Sequence, residues 1–280
     1  MFAIFIHEGR VKMDTSAPNK KLVNSVTKEL RSVQKSELKL QKKAKGPTFP
    51  YKETIESKIP TGLNNTLQAS FAKAFEFIFK HGIGIIEKSY NKEDIAANYD
   101  IQNYAVDKKG NRKELKRLKS SATKADLVNM SITTLEGVGL GALGIGLPDI
   151  VLFIGMVLKG IYEVALRYGY DYSSSSEKYL ILKMMGTALS KGDEWVNNNN
   201  EVDKILCAPP FVSEDITKEE IDRTAKVFAT DMLVLKFIQG LPVVGVIGGA
   251  FNPLYYGKIL SYVRLKYHKR YLTDKLHEIL

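Results

Sequence analysis

The stretch LEGVGLGALGIGLPDIVLFIGMVLKG, residues 135–160, decides how this chain is read. Gly137, Gly139, Gly141, Gly144 and Gly146 fall within ten residues, and Leu147-Pro148-Asp149 follows them. From Gly137 to Leu158 the only charged side chain is Asp149. Gly139, Gly141 and Gly144 satisfy G-x-G-x-x-G, yet no strand pattern precedes them, so a dinucleotide loop is rejected and no cofactor is expected. Small residues four apart, such as Gly137 and Gly141, let helix backbones approach closely. Pro148 suits the first turn of a helix, where its missing N–H costs nothing, and Asp149 then meets the positive helix end. The stretch reads as a glycine-rich helical hairpin.

A second segment repeats the pattern: Gly240, Leu241-Pro242, Gly245, Gly248 and Gly249, with no charge from Phe237 to Tyr256. Both apolar runs reach the roughly 20 residues that span a bilayer. A buried hairpin in a protein core satisfies the same pattern and is the preferred reading.

Around these segments nearly every periodic stretch is helical. Leu22, Val26, Leu30, Val33 and Leu40 recur at helical spacing among lysines, so 20–46 reads as a basic amphipathic arm ended by Gly46-Pro47 and Pro50. Residues 63–80 place Leu67, Phe71, Ala74, Phe75, Ile78 and Phe79 on one face. Ser174 with Glu177, and Thr217 with Glu220, match the capping box, and Thr123 with Asp126 a variant of it. Lys191–Asn200, with its asparagine run, reads as a loop. Gly169 suits a left-handed residue ending the helix that begins at Pro148, with Tyr168 and Tyr170 packing at that boundary. Ile221–Ile238 is again helical, and alternating strands are missing. The expected fold is all-α: one multi-helix domain over 51–280, preceded by the arm. Residues 1–19 are expected to stand outside it, as a disordered tail or an upstream start, with Met13 as the natural opening.

At this point the residues resemble a known family. Leu135-Glu136-Gly137, the glycines after it, Leu147-Pro148-Asp149 and Tyr168-Gly169-Tyr170-Asp171 are similar to the signature of the EcsC family. Gly240-Leu241-Pro242 through Gly249 resembles its C-terminal part, and Lys58-Ile59-Pro60 its opening. The resemblance covers about residues 50–272 and leaves out the basic arm. It implies a helical fold and a bacterial origin, and it brings no reaction with it.

Chemistry is sparse. One cysteine, Cys207, excludes an intrachain disulfide and fits a reducing, cytoplasmic setting. His7, His81, His268 and His277 have no partner at metal-ligand spacing, and His268 and His277 read as surface residues of a basic tail. No metal is expected, and no nucleophile elbow or phosphate-loop lysine appears. Glu136, Asp149 and Asp171 are the weak catalytic candidates, since carboxylates brought together by a folded-back hairpin can share a proton or bind a cation.

Charge is more informative. The chain carries +10, and three stretches hold more than all of it: 20–45 at +7, 107–124 at +6 and 258–275 at +5. The remainder is therefore −8, and such separation favours contact with an anionic surface. In the last stretch Arg264, Lys266, Tyr267, Lys269, Arg270 and Tyr271 alternate basic and aromatic groups, which suits a membrane interface. The leading expectation is a non-enzymatic peripheral protein that meets anionic lipid or a membrane-protein partner. The alternatives are a hydrolase-like enzyme using Glu136 and Asp149, and a membrane-inserting effector. Nucleic acid ranks lower, because no recognised binding motif accompanies the basic residues.

Overall fold

A computed structural model describes residues 19–45, 57, 59–123, 148–238 and 251–280. Ten α-helices are labelled in chain order among them: α1 Lys20–Ala44, α2 Thr61–Phe77, α3 Ile83–Glu87, α4 Lys92–Lys109 and α5 Arg112–Thr123 come first. Then follow α6 Pro148–Arg167, α7 Ser175–Leu189, α8 Gly192–Cys207, α9 Glu214–Ile238 and α10 Phe251–Ile279. No strand occurs among the described residues, and the fold is all-α. Glu136 and both glycine clusters lie outside the described residues, as do the segment after Thr123 and residues 1–18.

α6 is the axis of the core. Ile150, Val151, Phe153, Ile154, Val157, Leu158, Ile161, Tyr162, Val164 and Ala165 have no exposed surface. A helix apolar around most of its circumference needs neighbours on several sides. Here α2, α4, α5 and α10 supply them. Thus the described half of the first apolar run is covered by protein. Among the described residues, no helix is long and apolar enough to cross a membrane.

Two glycines set how α6 is flanked and how it ends. A Cβ on Gly160 would stand 2.6 Å from the Tyr256 hydroxyl, so α10 presses on α6 at that point. Gly169 has φ +80°, and its N–H and that of Tyr170 donate back to Leu166 and Ala165, a left-handed helix stop. A Cβ there would also run into the Tyr99 ring.

The other helices close around this axis through aromatic contacts. Phe71 and Phe75 of α2 meet Phe228 of α9 at 5.3 and 5.8 Å, and Phe153 of α6 approaches the same ring at 6.3 Å. After Phe77 the chain makes one π-helical turn, Ile78–Gly82, before α3.

Three local readings change. Lys191–Asn200 is no loop: it belongs to α8, where Trp195, Asn199, Val202 and Leu206 are buried along one side. Packing of that stripe outweighs the weak helix propensity of asparagine. Only Asn199 of the run turns inward, and its side-chain oxygen accepts from the Tyr262 hydroxyl at 3.0 Å. α9 starts at Glu214, ahead of Thr217, whose hydroxyl donates back to the Ser213 carbonyl at 3.1 Å. Ser174 does cap α7, accepting from the Glu177 amide at 3.2 Å, but the Glu177 carboxylate is engaged elsewhere.

Candidate functional site

The three basic stretches have different fates. In 258–275, which lies in α10, the charges turn inward. Lys266 has no exposed surface, and its Nζ donates to Glu37 of α1 at 2.5 Å and Asp203 of α8 at 2.6 Å. Lys269 reaches the same two carboxylates at 2.9 Å each. This four-charge cluster ties three helices together. Arg270 grips Glu177 of α7 through both carboxylate oxygens, at 2.9 and 3.1 Å, and lies over the Tyr170 ring at 4.0 Å. Tyr267 is buried and donates to the same Glu177 at 2.7 Å. Lys275 pairs with Asp107 and Glu278, and Lys258 with Asp231. Tyr271, also buried, donates to Asn103, while Arg264 is half-buried near Tyr168 and Tyr256.

The expectation of an exposed basic-aromatic contact surface on Arg264, Lys266, Tyr267, Lys269, Arg270 and Tyr271 is therefore corrected. Unpaired charge is costly to bury, so Lys266, Lys269 and Arg270 sit where carboxylates from α1, α7 and α8 meet them, while Arg264 stays half-buried. His268 is likewise no surface residue. It is fully buried, its ring lies 5.7 Å from that of Tyr168, and its Nε2 is 3.7 Å from Glu29 of α1.

In α1 the arrangement is reversed. Its only two acidic residues, Glu29 and Glu37, both face the body. Glu29 is 2% exposed and accepts from Arg112 Nε of α5 at 2.6 Å. The imidazole of His268 and then the Arg112 guanidinium hold its carboxyl down to about 2, against the opposing effect of burial. Leu22, Val26 and Val33 are buried on the same side. Lys21, Lys28, Arg31, Lys35, Lys39 and Lys42 are all exposed. At 3.6 residues per turn these six fall within about 80° of arc, opposite the buried face, along about 30 Å of helix. Asn19 starts this helix by accepting from the Leu22 amide at 3.2 Å.

α5 lies against α1 and carries the second basic stretch. Arg112, Lys113, Lys116, Arg117 and Ser120 line an open depression of about 430 Å³. Glu114, the one carboxylate of the helix, is 5% exposed beneath it and accepts from Arg117 and Lys109. Two of the three basic stretches thus form neighbouring outward-facing surfaces.

Of the acidic candidates, Glu136 lies outside the described residues, and Asp149 and Asp171 do not come together. Asp149 is exposed in the first turn of α6, while Asp171 follows that helix's other end. From Asp149 the helix runs on to Arg167, 167 − 149 = 18 steps of about 1.5 Å, which places the two carboxylates at opposite ends of a span of about 27 Å. Asp171 serves its own loop, accepting from the amide and hydroxyl of Ser173. The nearest acidic residue to the α6 core is Glu163, which pairs with Lys159 and Arg167. Among the described residues no group of three His, Cys, Asp or Glu stands where it would hold a metal ion. Cys207 is exposed and free.

Sequence periodicity alone has the means to find the α1 stripe, since Lys28, Arg31, Lys35, Lys39 and Lys42 recur at three and four, with Lys21 seven residues before them. The role of Glu29 and Glu37 required the partner helices.

Compared with known proteins, the chain matches the family model described as EcsC protein family over residues 24–272. The match begins inside α1, so it takes in most of the basic helix that the motif resemblance left out. No curated protein and no solved structure matches.

Proposed function

The chain belongs to the EcsC protein family, and we propose that it is a peripheral protein docking on an anionic membrane surface through the outer faces of α1 and α5. One observation carries this reading: α1 directs both its carboxylates inward and leaves an outer stripe with six basic side chains and no acidic one. Each basic side chain near an anionic bilayer contributes about 1 kcal/mol, so six on one stripe suffice for reversible binding without any spanning helix. The long aliphatic stems of lysine and arginine let the charges reach the headgroups while the helix lies flat. The α10 tail has no part in this contact. Lys266, Lys269 and Arg270 are already paired with carboxylates, and the two lysines hold α1 in place through Glu37.

The test is flotation of the purified protein with vesicles of phosphatidylcholine alone or with phosphatidylserine, at low and high salt. Binding is expected only with phosphatidylserine and only at low salt, because salt screens exposed charge contacts. Lys28→Glu with Lys35→Glu is expected to abolish it. Flotation that ignores this double reversal, or none at low salt, overturns the reading, as does tighter binding to duplex DNA than to the anionic vesicles. Binding that survives high salt would favour insertion by the glycine-rich segments instead.

A further inference from the structure

The depression on α5 is built differently from the α1 stripe. Its two arginines are anchored from below by carboxylates that solvent barely reaches: Arg112 by Glu29, 2% exposed, and Arg117 by Glu114, 5% exposed. Each anchor occupies only part of the guanidinium. Arg112 commits its Nε at 2.6 Å, leaving both terminal nitrogens. Arg117 commits one terminal nitrogen, at 3.0 Å to both oxygens of Glu114, and leaves the opposite edge of its fork. Lys113 and Lys116 project beside them as exposed cations, and Ser120 adds a hydroxyl. No carboxylate lines the depression.

Arginines already fixed in position lose less side-chain freedom when a ligand arrives, and their planar forks match phosphate oxygens. Arg112 and Arg117 already balance Glu29 and Glu114, so the uncompensated charge at the depression is that of Lys113 and Lys116, more than a phosphodiester with a single negative charge requires. A phosphomonoester carries up to two charges and three terminal oxygens, enough to meet the outward arginine edges and both lysines together, and the depression is open on its outer side.

We propose that this depression is a subsite for a phosphomonoester headgroup on a membrane lipid, giving the docked protein a preference among anionic lipids. The inference rests on the docking reading above. α1 supplies attraction that depends on charge alone, and α5 discriminates. Arg112 and Arg117 grip the terminal oxygens, Lys113 and Lys116 neutralise the second charge, and Ser120 donates to a remaining oxygen.

The test uses the full chain and two vesicle preparations matched in surface potential, one containing phosphatidic acid and one phosphatidylserine. Partition is expected to favour the phosphatidic acid vesicles by about fivefold, the effect of about one further charge contact. Lys113→Ala with Lys116→Ala is expected to weaken partition onto both vesicles, since two general charge contacts are lost, and to bring their ratio to about one, with the remaining phosphatidylserine binding carried by α1. Both lysines are exposed, so the fold is expected to survive, with circular dichroism as the check and Lys113→Arg with Lys116→Arg as the rescuing pair. Equal partition of the wild type, or a preference untouched by the double alanine variant, overturns the phosphomonoester subsite alone. Failure to bind either vesicle at low salt overturns the docking reading and this inference together. Inorganic phosphate at millimolar concentration, added to the phosphatidic acid arm, is expected not to remove the preference. If it does, the site takes free phosphate, and the lipid assignment falls.

Discussion

α1 and α10 are two long, lysine-rich helices that pack on each other and treat their charge in opposite ways. α10 buries Lys266 and partly buries Lys269 and Arg270, and it depends on carboxylates from three other helices to do so. α1 contributes one of those carboxylates, Glu37, turns its other, Glu29, toward Arg112 of α5, and is left basic outside. The difference shows that positive charge in a sequence marks a binding face only where its counter-charges are elsewhere. Both segments are strongly basic, +7 over 20–45 and +5 over 258–275, so composition does not show that one is a surface and the other is not. The direction in which the acidic residues point does.

The largest effect expected from this contrast concerns stability. Lys266→Ala leaves Glu37 and Asp203 facing a buried gap, and is expected to cost at least about 3 kcal/mol in denaturant unfolding, as removal of one partner from a buried pair does. Lys35→Ala on the outer face of α1 is expected to stay within about 0.5 kcal/mol. Similar costs at both positions would end the distinction between the helices.

Acid sharpens the same comparison. The Glu29 carboxyl is held at about 2, below its ordinary 4.5, so the folded state binds its proton less readily than the unfolded chain. Its stabilisation is therefore complete above about 4.5 and disappears as pH falls toward 2, a loss on the order of 2–3 kcal/mol. Glu29→Gln is expected to flatten the unfolding curve in that window, which thermal melts from pH 5 to pH 2 measure. An unchanged pH slope would mean that the clamp between α1, Arg112 and His268 is not what secures the helix.

On the functional side, Lys28→Ala with Lys35→Ala is expected to weaken partition onto phosphatidylserine vesicles by about 25-fold, two basic contacts' worth, without moving the melting temperature. The smallest effect is expected from Lys269→Gln, whose cation is already shared by Glu37 and Asp203. Vesicle partition is expected to stay within about twofold of wild type. A large loss there would return α10 to the binding face.

Much of the architecture was legible before any coordinates. The apolar periodicity of 63–80 and 221–238, Pro148 opening α6 and Gly169 closing it all depend on neighbours a few residues away, and local rules describe such neighbours well. The asparagine run of α8 was misread because its helix is stabilised by Trp195, Val202 and Leu206 against other elements, which no local rule sees. His268 was misread for the same reason: surrounded in sequence by Lys266, Lys269 and Arg270, it looked solvated, yet α1 and Tyr168 enclose it.

By itself, then, the sequence determined that this is an all-α protein of the EcsC family, with its charge gathered in three segments and a nearly neutral helix at its core. Only the tertiary structure decided which of those segments is a surface. A lysine's cost of burial depends on whether a carboxylate lies within a few ångströms, and those carboxylates come from helices far away in the chain: Glu37 is 229 residues from Lys266, and Asp203 is 63.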